Sequence, residues 1–348
     1  MNTMVNSEDL FNYVLMSPRF SCGEPETLRI VSGYASHAMA ARHLIEMSKQ
    51  KKSLFVDLVY GMAGSDGVSK INHFGFVSLE QKKEFFYEGA FSCSYVKKPI
   101  SIHSKIYVWC KGEVPVKAFI GSANYSENAF NSSSRVETLS ECDPDSALSF
   151  FHKAKLKAIA CGEADRERDF LVKPHTASYL SKSATPFVTI EQNKDSPYFG
   201  HEKIVLSLLS KRGDAGNGSG LNWGVRPGGS PRVSRNASGS VSRRNRDQAY
   251  IRLPSSLQKT GFFPDIAHRF TVLTDDNKIL TCVRAQQNGK AIETPQDNSE
   301  IGRYFRERLG LPSGTYITVP MLKRYGRDNV TFYKLDDENY VMDFSTPN

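Results

Sequence analysis

Residues 101–141 read SIHSKIYVWCKGEVPVKAFIGSANYSENAFNSSSRVETLSE, and this stretch decides how the rest of the chain is understood. KIYVWC (105–110), VKAFIG (116–121) and RVETLSE (135–141) are short runs of β-branched, aromatic and aliphatic residues separated by turn residues, the pattern of three strands. His103 and Lys105 open the first run, Gly121-Ser122-Ala123-Asn124 closes the second, and Glu137 lies in the third. Side chains two apart in a strand share a face, so His103 projects with Lys105 and Ser122 with Asn124. Where such strands are neighbours, these polar groups meet at one strand end.

Their chemistry is complementary. An imidazole can attack phosphorus as a nucleophile. A lysine, an amide and a hydroxyl can stabilise charge developing on phosphoryl oxygens. Glu137 can hold His103 in one tautomer, the orienting role of a carboxylate in a triad. Nothing here demands a metal, because there is no carboxylate cluster of the kind that holds magnesium. The competing reading makes His103 a surface histidine and Lys105 ordinary strand polarity. Thiol chemistry between His103 and Cys110 is disfavoured, since positions seven apart in a strand face opposite ways.

Outward from this stretch, the N-terminal half alternates strands and helices. TLRIVSG (27–33), LFVDLVYGM (54–62) and FSCSYV (91–96) read as strands. Residues 36–50 read as a helix with Ser36 as N-cap, and residues 78–89 as another with a capping-box spacing at Ser78 and Gln81. Residues 144–162 read as a helix that opens on Pro144-Asp145 and closes at Gly162. The alternation implies an α/β layer fold, a mixed sheet flanked by helices. His37 and His43 lie on the predicted helix at a spacing unsuited to a metal, so a helix-surface role is expected for them.

The ordered set of HxK, GSxN and Glu resembles the phospholipase D superfamily of phosphodiesterases. That resemblance implies a phosphohistidine intermediate and a catalytic set of His103, Lys105, Ser122, Asn124 and Glu137. The fuller superfamily motif has an aspartate five residues after the lysine, where this chain has Cys110. The superfamily site takes two motifs, one histidine attacking and the other protonating the leaving oxygen. A second copy is suggested only by His201-Glu202-Lys203 with Gly218-Ser219, where Asn222 falls one position late. A homodimer, each chain giving one motif across a two-fold axis, answers the requirement better.

The C-terminal half changes character. RFTVLT, KILTCVRAQ, TYITVP, NVTFYKL and YVMDF are β-like runs at close intervals, with one predicted helix at 298–310. A small, mostly-β barrel or pseudobarrel is expected. Charge concentrates here. Residues 1–200 carry 23 basic and 22 acidic side chains, whereas residues 201–348 carry 22 and 15. Seven arginines (226, 232, 235, 243, 244, 246, 252) fall between 226 and 252 with only one acid, Asp247. Such a cluster seeks phosphate, and arginine and amide side chains read base edges. Asn222, Trp223, Arg226, Arg243, Arg244 and Arg246 form one candidate DNA-binding arm. Arg284, Gln287, Asn288 and Lys290 form an opposing one. The plainer alternative is a solvated basic loop.

A β pseudobarrel with two such arms resembles the B3-like DNA-binding domain. Together, the two halves resemble the NgoFVII family of type II restriction endonucleases and are similar to BfiI-type metal-independent enzymes. The resemblance implies a phospholipase D-like nuclease domain at 1–175, a linker at 176–200 and a B3-like recognition domain at 201–348. It implies double-stranded DNA as partner and no cofactor. Some relatives work with a separate ATPase subunit. This sequence has no GxxxxGK[ST] loop, so any ATP use would reside in such a partner.

Composition narrows the alternatives. The chain has 348 residues, 39% hydrophobic and 24% charged, with a net charge of +8, which fits two globular domains at roughly 100–200 residues each. It has no apolar run long enough to span a membrane and no basic leader before a hydrophobic core, so a cytoplasmic location is expected, and the resemblance implies a bacterial enzyme. Six widely spaced cysteines without CxxC fit reduced thiols. Two rival functions share these features: a lipid phosphodiesterase, for which the arginine-rich half has no use, and a non-catalytic dimeric DNA-binding regulator.

Overall fold

The computed structural model describes residues 4–6, 10–16, 27–50, 53–81, 90–131, 136–166, 172–173, 187–235 and 241–346. The chain divides into two units, Met1–His175 and Thr176–Asn348.

The first unit contains β1 (Met4–Asn6), β2 (Thr27–Ser32), β3 (Phe55–Tyr60), β4 (Val68–Ser69), β5 (Ala90–Val96), β6 (Ile106–Lys111), β7 (Val114–Gly121), β8 (Thr138–Cys142), β9 (Ala158–Ala160) and β10 (Val172–Lys173). Eight of them form a mixed sheet in the order β1-β8-β7-β6-β2-β3-β5-β9, while β4 pairs with β10. β2, β3 and β5 run parallel, and β6, β7 and β8 are antiparallel to their neighbours. The parallel strands are nearly continuous apolar runs, as strands covered on both faces must be.

The helices are α1 (His37–Lys49), α2 (Ala63–Asp66), α3 (Lys70–Gln81), α4 (Glu127–Asn131) and α5 (Pro144–Lys155). Met39 and Leu44 of α1 and Phe76 of α3 pack with Leu28, Ile30, Val56 and Leu58 on one face of the sheet. Ala147, Leu148, Phe151 and Ala154 of α5 cover Val31, Val59, Val96 and Val108 on the other. The result is a three-layer α/β sandwich. Each large apolar side chain so buried contributes roughly 1.5–3 kcal/mol. Ser36 caps α1 by accepting from the Met39 amide at 3.3 Å, as its sequence position suggests. Asp143 caps α5 in the same way, accepting from the Ser146 amide at 2.8 Å with Pro144 in the first turn.

Three local expectations are corrected here. The helix expected at 78–89 begins at Lys70 and runs to Gln81, and residues 82–89 lie outside the described residues. The helix expected to reach 162 stops at Lys155, because Ala158–Ala160 pair instead with the free edge of β5. His43 is fully buried rather than on a helix surface. Its ring nitrogens meet the Tyr125 hydroxyl at 3.0 Å and the Leu15 carbonyl at 2.8 Å. Burial lowers its pKa to about 4, against a smaller opposing effect of the Leu15 carbonyl. His37 is buried as well.

The second unit holds β11 (Thr189–Ile190), β12 (Glu202–Ser207), β13 (Val233–Arg235), β14 (Val241–Arg243), β15 (Ile251–Arg252), β16 (Arg269–Thr274), β17 (Ile279–Ala285), β18 (Ala291–Glu293), β19 (Asn329–Lys334) and β20 (Asn339–Asp343). Its eight-stranded sheet has the order β11-β12-β19-β20-β16-β17-β18-β15, antiparallel except between β16 and β20. β12 comes near β15, so the ends of the sheet approach as in a pseudobarrel. The interior is aromatic, with Phe262, Phe263, Phe270, Phe332 and Tyr340 packed ring against ring. Among the described residues, three short α-helices, α6 (Ser255–Gln258), α7 (Glu300–Arg308) and α8 (Val319–Tyr325), accompany the sheet, and β13 pairs with β14. Thr189–Ile190 pair with β12, so this sheet begins inside the stretch read as a linker. TYITVP, read as a strand, leads into α8 because Pro320 has no N–H for a ladder but suits a first helical turn. Among the described residues, no helix is long and apolar enough to cross a membrane.

Candidate active site and nucleic-acid interface

Strand register brings the HxK and GSxN segments together. Val31 of β2 is opposite Ile106, Ile106 is opposite Ile120, and Gly121 is opposite Leu139. The carboxyl ends of β2 and β7 and the amino ends of β6 and β8 therefore share one edge of the sheet. The Gly121 amide donates to the Lys105 carbonyl at 3.2 Å, and the Ser122 amide to the Thr138 carbonyl at 2.9 Å. A Cβ on Gly121 would stand 2.1 Å from the Thr138 carbonyl oxygen, so only glycine permits this closure.

His103 and Lys105 lie just before β6 rather than within it. The Lys105 Nζ is 3.1 Å from both ring nitrogens of His103 and donates to the His103 carbonyl at 2.5 Å. Lys105 is buried while His103 is exposed. Burial holds the Lys105 pKa below the ordinary lysine value, and the negative charge of Glu137 works the other way. Gly33, immediately after β2, makes room for the pair. A Cβ there would sit 2.9 Å from His103 Cδ2 and 3.3 Å from the Lys105 Nζ.

Asn124 is fixed from the other side. Its Oδ1 accepts from the Tyr34 amide at 3.1 Å and is 3.5 Å from the Ser32 hydroxyl, which leaves the amide nitrogen to donate elsewhere. Ser122 donates to Glu137 and accepts from the Thr138 amide at 3.1 Å. Glu137 thus engages Ser122, not the His103 ring that the sequence assigned to it. Charge reaches Lys105 from Glu137, and Lys105 lies against the exposed imidazole. An imidazole against a buried ammonium, with an oriented amide at the same strand ends, forms a set able to receive a phosphoryl group.

The sequence reading missed Ser32, Gly33 and Tyr34. The Tyr34 ring lies edge to face with His103 at 5.8 Å, and its hydroxyl donates to Asp66. The signal was available in principle, since open α/β sheets place their sites beyond the carboxyl ends of strands. Cys110, at the position of the superfamily aspartate, is buried under α5. Burial pushes its thiol pKa up. Among the described residues, no group of three His, Cys, Asp or Glu side chains is placed to hold a metal ion.

The proposed DNA-binding residues divide by exposure. Arg226, Arg243, Arg246, Gln287, Asn288 and Lys290 are exposed. The Arg244 guanidinium lies over the Trp223 ring at 4.4 Å and donates to Gln248 Oε1 at 3.1 Å. Trp223 in turn meets Tyr250 edge to face at 5.5 Å. Two residues are corrected. Asn222 is fully buried, donating to the Ala215, Gly216 and Ile317 carbonyls at 3.3, 3.0 and 2.8 Å and accepting from the Ile317 amide at 2.8 Å. Arg284 is buried too, donating to the Pro264 and Gln258 carbonyls at 3.1 and 2.8 Å. Neither side chain is free to reach a base. The second-motif segment is likewise structural: His201 Nδ1 is 3.0 Å from the Lys334 carbonyl, and Lys203 pairs with Glu191 at 2.9 Å.

Residues 8–168 match the model of the NgoFVII restriction endonuclease N-terminal PLD domain, and residues 198–336 match that of the NgoFVII C-terminal B3-like DNA-binding domain. Among solved structures, the chain is similar to NucT from Helicobacter pylori, at 20% identity and a TM-score of 0.32, covering 46% of this chain and 98% of that one. It is also similar to Nuc from Salmonella typhimurium, a phospholipase D family member, at 16% identity and 0.32, covering 46% and 97%. Polyphosphate kinase from Porphyromonas gingivalis matches at 12% identity and 0.28, covering 45% and 23%. No curated protein sequence matches the chain.

Proposed function

Because this chain belongs to the NgoFVII family of restriction endonucleases, we propose that it is a type II enzyme that hydrolyses DNA phosphodiesters through a phosphohistidine, without a divalent metal. A ring nitrogen of His103 attacks phosphorus, the N–P bond forms, and the bond to the leaving oxygen breaks. His103 of the partner subunit gives that oxygen its proton, then takes one from water as the water oxygen displaces the imidazole. Lys105 and Asn124 donate to the non-bridging oxygens where negative charge builds. Ser122 and Glu137 set the local charge and the placement of the strand ends.

The observation that carries this reading is the convergence of an exposed imidazole, a buried ammonium and an oriented amide at one sheet edge. A single histidine supplies either a nucleophile or a general acid, not both at once, which is the reason for a homodimer through the first unit. A phosphodiester is inert enough that of order 10–20 kcal/mol of barrier must be removed, so a preorganised pair of half-sites fits the task. The B3-like unit would bind a specific duplex sequence through its exposed arginines. Any coupling to ATP would come from a separate subunit.

The test is incubation of plasmid DNA with the full chain in EDTA, followed by mapping of the ends. Cleavage is expected at fixed positions, lost in His103→Ala while DNA binding persists. Undiminished nicking by His103→Ala would overturn the mechanism.

A further inference from the structure

Tyr34 is an aromatic ring held rigidly against the nucleophile, and nothing in the reaction just described uses it. Its amide donates to Asn124 Oδ1 at 3.1 Å, and its carbonyl accepts from the Ser32 hydroxyl at 2.5 Å. Its ring is braced edge to face by Tyr60 at 6.3 Å, and Tyr60 is itself seated among Phe76 and Tyr95 in the core. The phenol donates to Asp66. That hydrogen bond, with burial adding to it, pushes the phenol pKa up to about 12, so Tyr34 is no acid or base near neutrality. What remains is a ring 37% exposed, beside His103.

We infer that Tyr34 is the platform on which the nucleobase next to the scissile phosphate stacks. This deepens, and rests on, the endonuclease reading. A phosphate received by His103 carries a nucleoside on at least one side, and the Tyr34 ring is an exposed aromatic surface adjoining His103. The ring costs little to order on binding, because the fold has already fixed both its ends. Stacking suits a cleavage unit separate from the reader, since every base, once it leaves the duplex stack at the cut, presents a π-face and none is preferred strongly.

The test compares two chromogenic esters on the full chain: thymidine 5′-(4-nitrophenyl phosphate) and its base-free deoxyribose counterpart. Tyr34→Ala is expected to cost on the order of ten-fold more in kcat/KM on the base-bearing ester than on the base-free one. Tyr34→Trp should restore the difference, and Tyr34→Leu, which fills space without a π-face, should not. Equal losses on both esters, or none, overturn stacking. Hydrolysis that survives His103→Ala overturns the endonuclease reading instead, and failure of the wild-type chain to hydrolyse either ester counts against both.

Discussion

The Lys105 ammonium stands 3.1 Å from both ring nitrogens of His103, and it does so from a buried position beside Glu137. Burial disfavours the charged form, so its pKa lies below the ~10.4 of a free lysine. If the ammonium stabilises the phosphoryl oxygens, activity falls as pH rises through that lowered pKa. Glu137 favours the ammonium, so Glu137→Gln should move the alkaline limb of the kcat profile to lower pH. A limb that stays put or moves upward would show that Lys105 is not the titrating group.

Gly33 makes a sharper claim about positioning. A Cβ there meets His103 Cδ2 at 2.9 Å and the Lys105 Nζ at 3.3 Å, so Gly33→Ala must displace one or the other. A shift of about an ångström at a reacting group can cost ~100-fold in rate. The variant should lose kcat on that scale while its thermal melting stays close to that of the wild type. A melting transition lowered in proportion to the activity would place the damage in folding rather than in the site.

The sequence made the strands, the sheet class and the HxK and GSxN pairing legible, because these are local: apolar runs, turn residues and a spacing of two. It could not show partners far along the chain. His43 looks like a helix-surface residue until Tyr125, 82 positions away, and Leu15, 28 away, take its two nitrogens. A triad analogy gives Glu137 to His103, yet in the folded chain Ser122 is its partner. Tyr34 carries no motif at all, and its place beside His103 follows only from the register of β2 against β6. For Arg284 and Asn222 the sequence offers only residue type, which does not distinguish a side chain aimed at solvent from one closing a loop inside.

That difference is measurable at Asn222. Its side chain donates to three carbonyls and accepts from the Ile317 amide, so Asn222→Ala strands buried backbone groups on two segments. The expected loss is about 2–4 kcal/mol of stability. Urea denaturation of the full chain should show it as an earlier transition of the second unit. Unchanged stability with weakened DNA binding would restore Asn222 to the role of base reader.

The exposed and buried arginines should separate in the same assay. Arg243 and Arg246 are exposed, so replacing either by alanine is expected to weaken DNA binding without loss of fold. If the contact is to phosphate, the slope of log K against log salt falls by ~1 and every sequence is weakened alike. If it is to a base edge, ~1–3 kcal/mol of discrimination goes and the slope changes little. Arg284→Ala should do neither first, because its guanidinium spans the Pro264 and Gln258 carbonyls. Its removal should lower the melting temperature, and any loss of binding should track the unfolded fraction. An Arg284→Ala protein with wild-type melting and a reduced salt slope would mean that this guanidinium leaves its carbonyls to meet DNA.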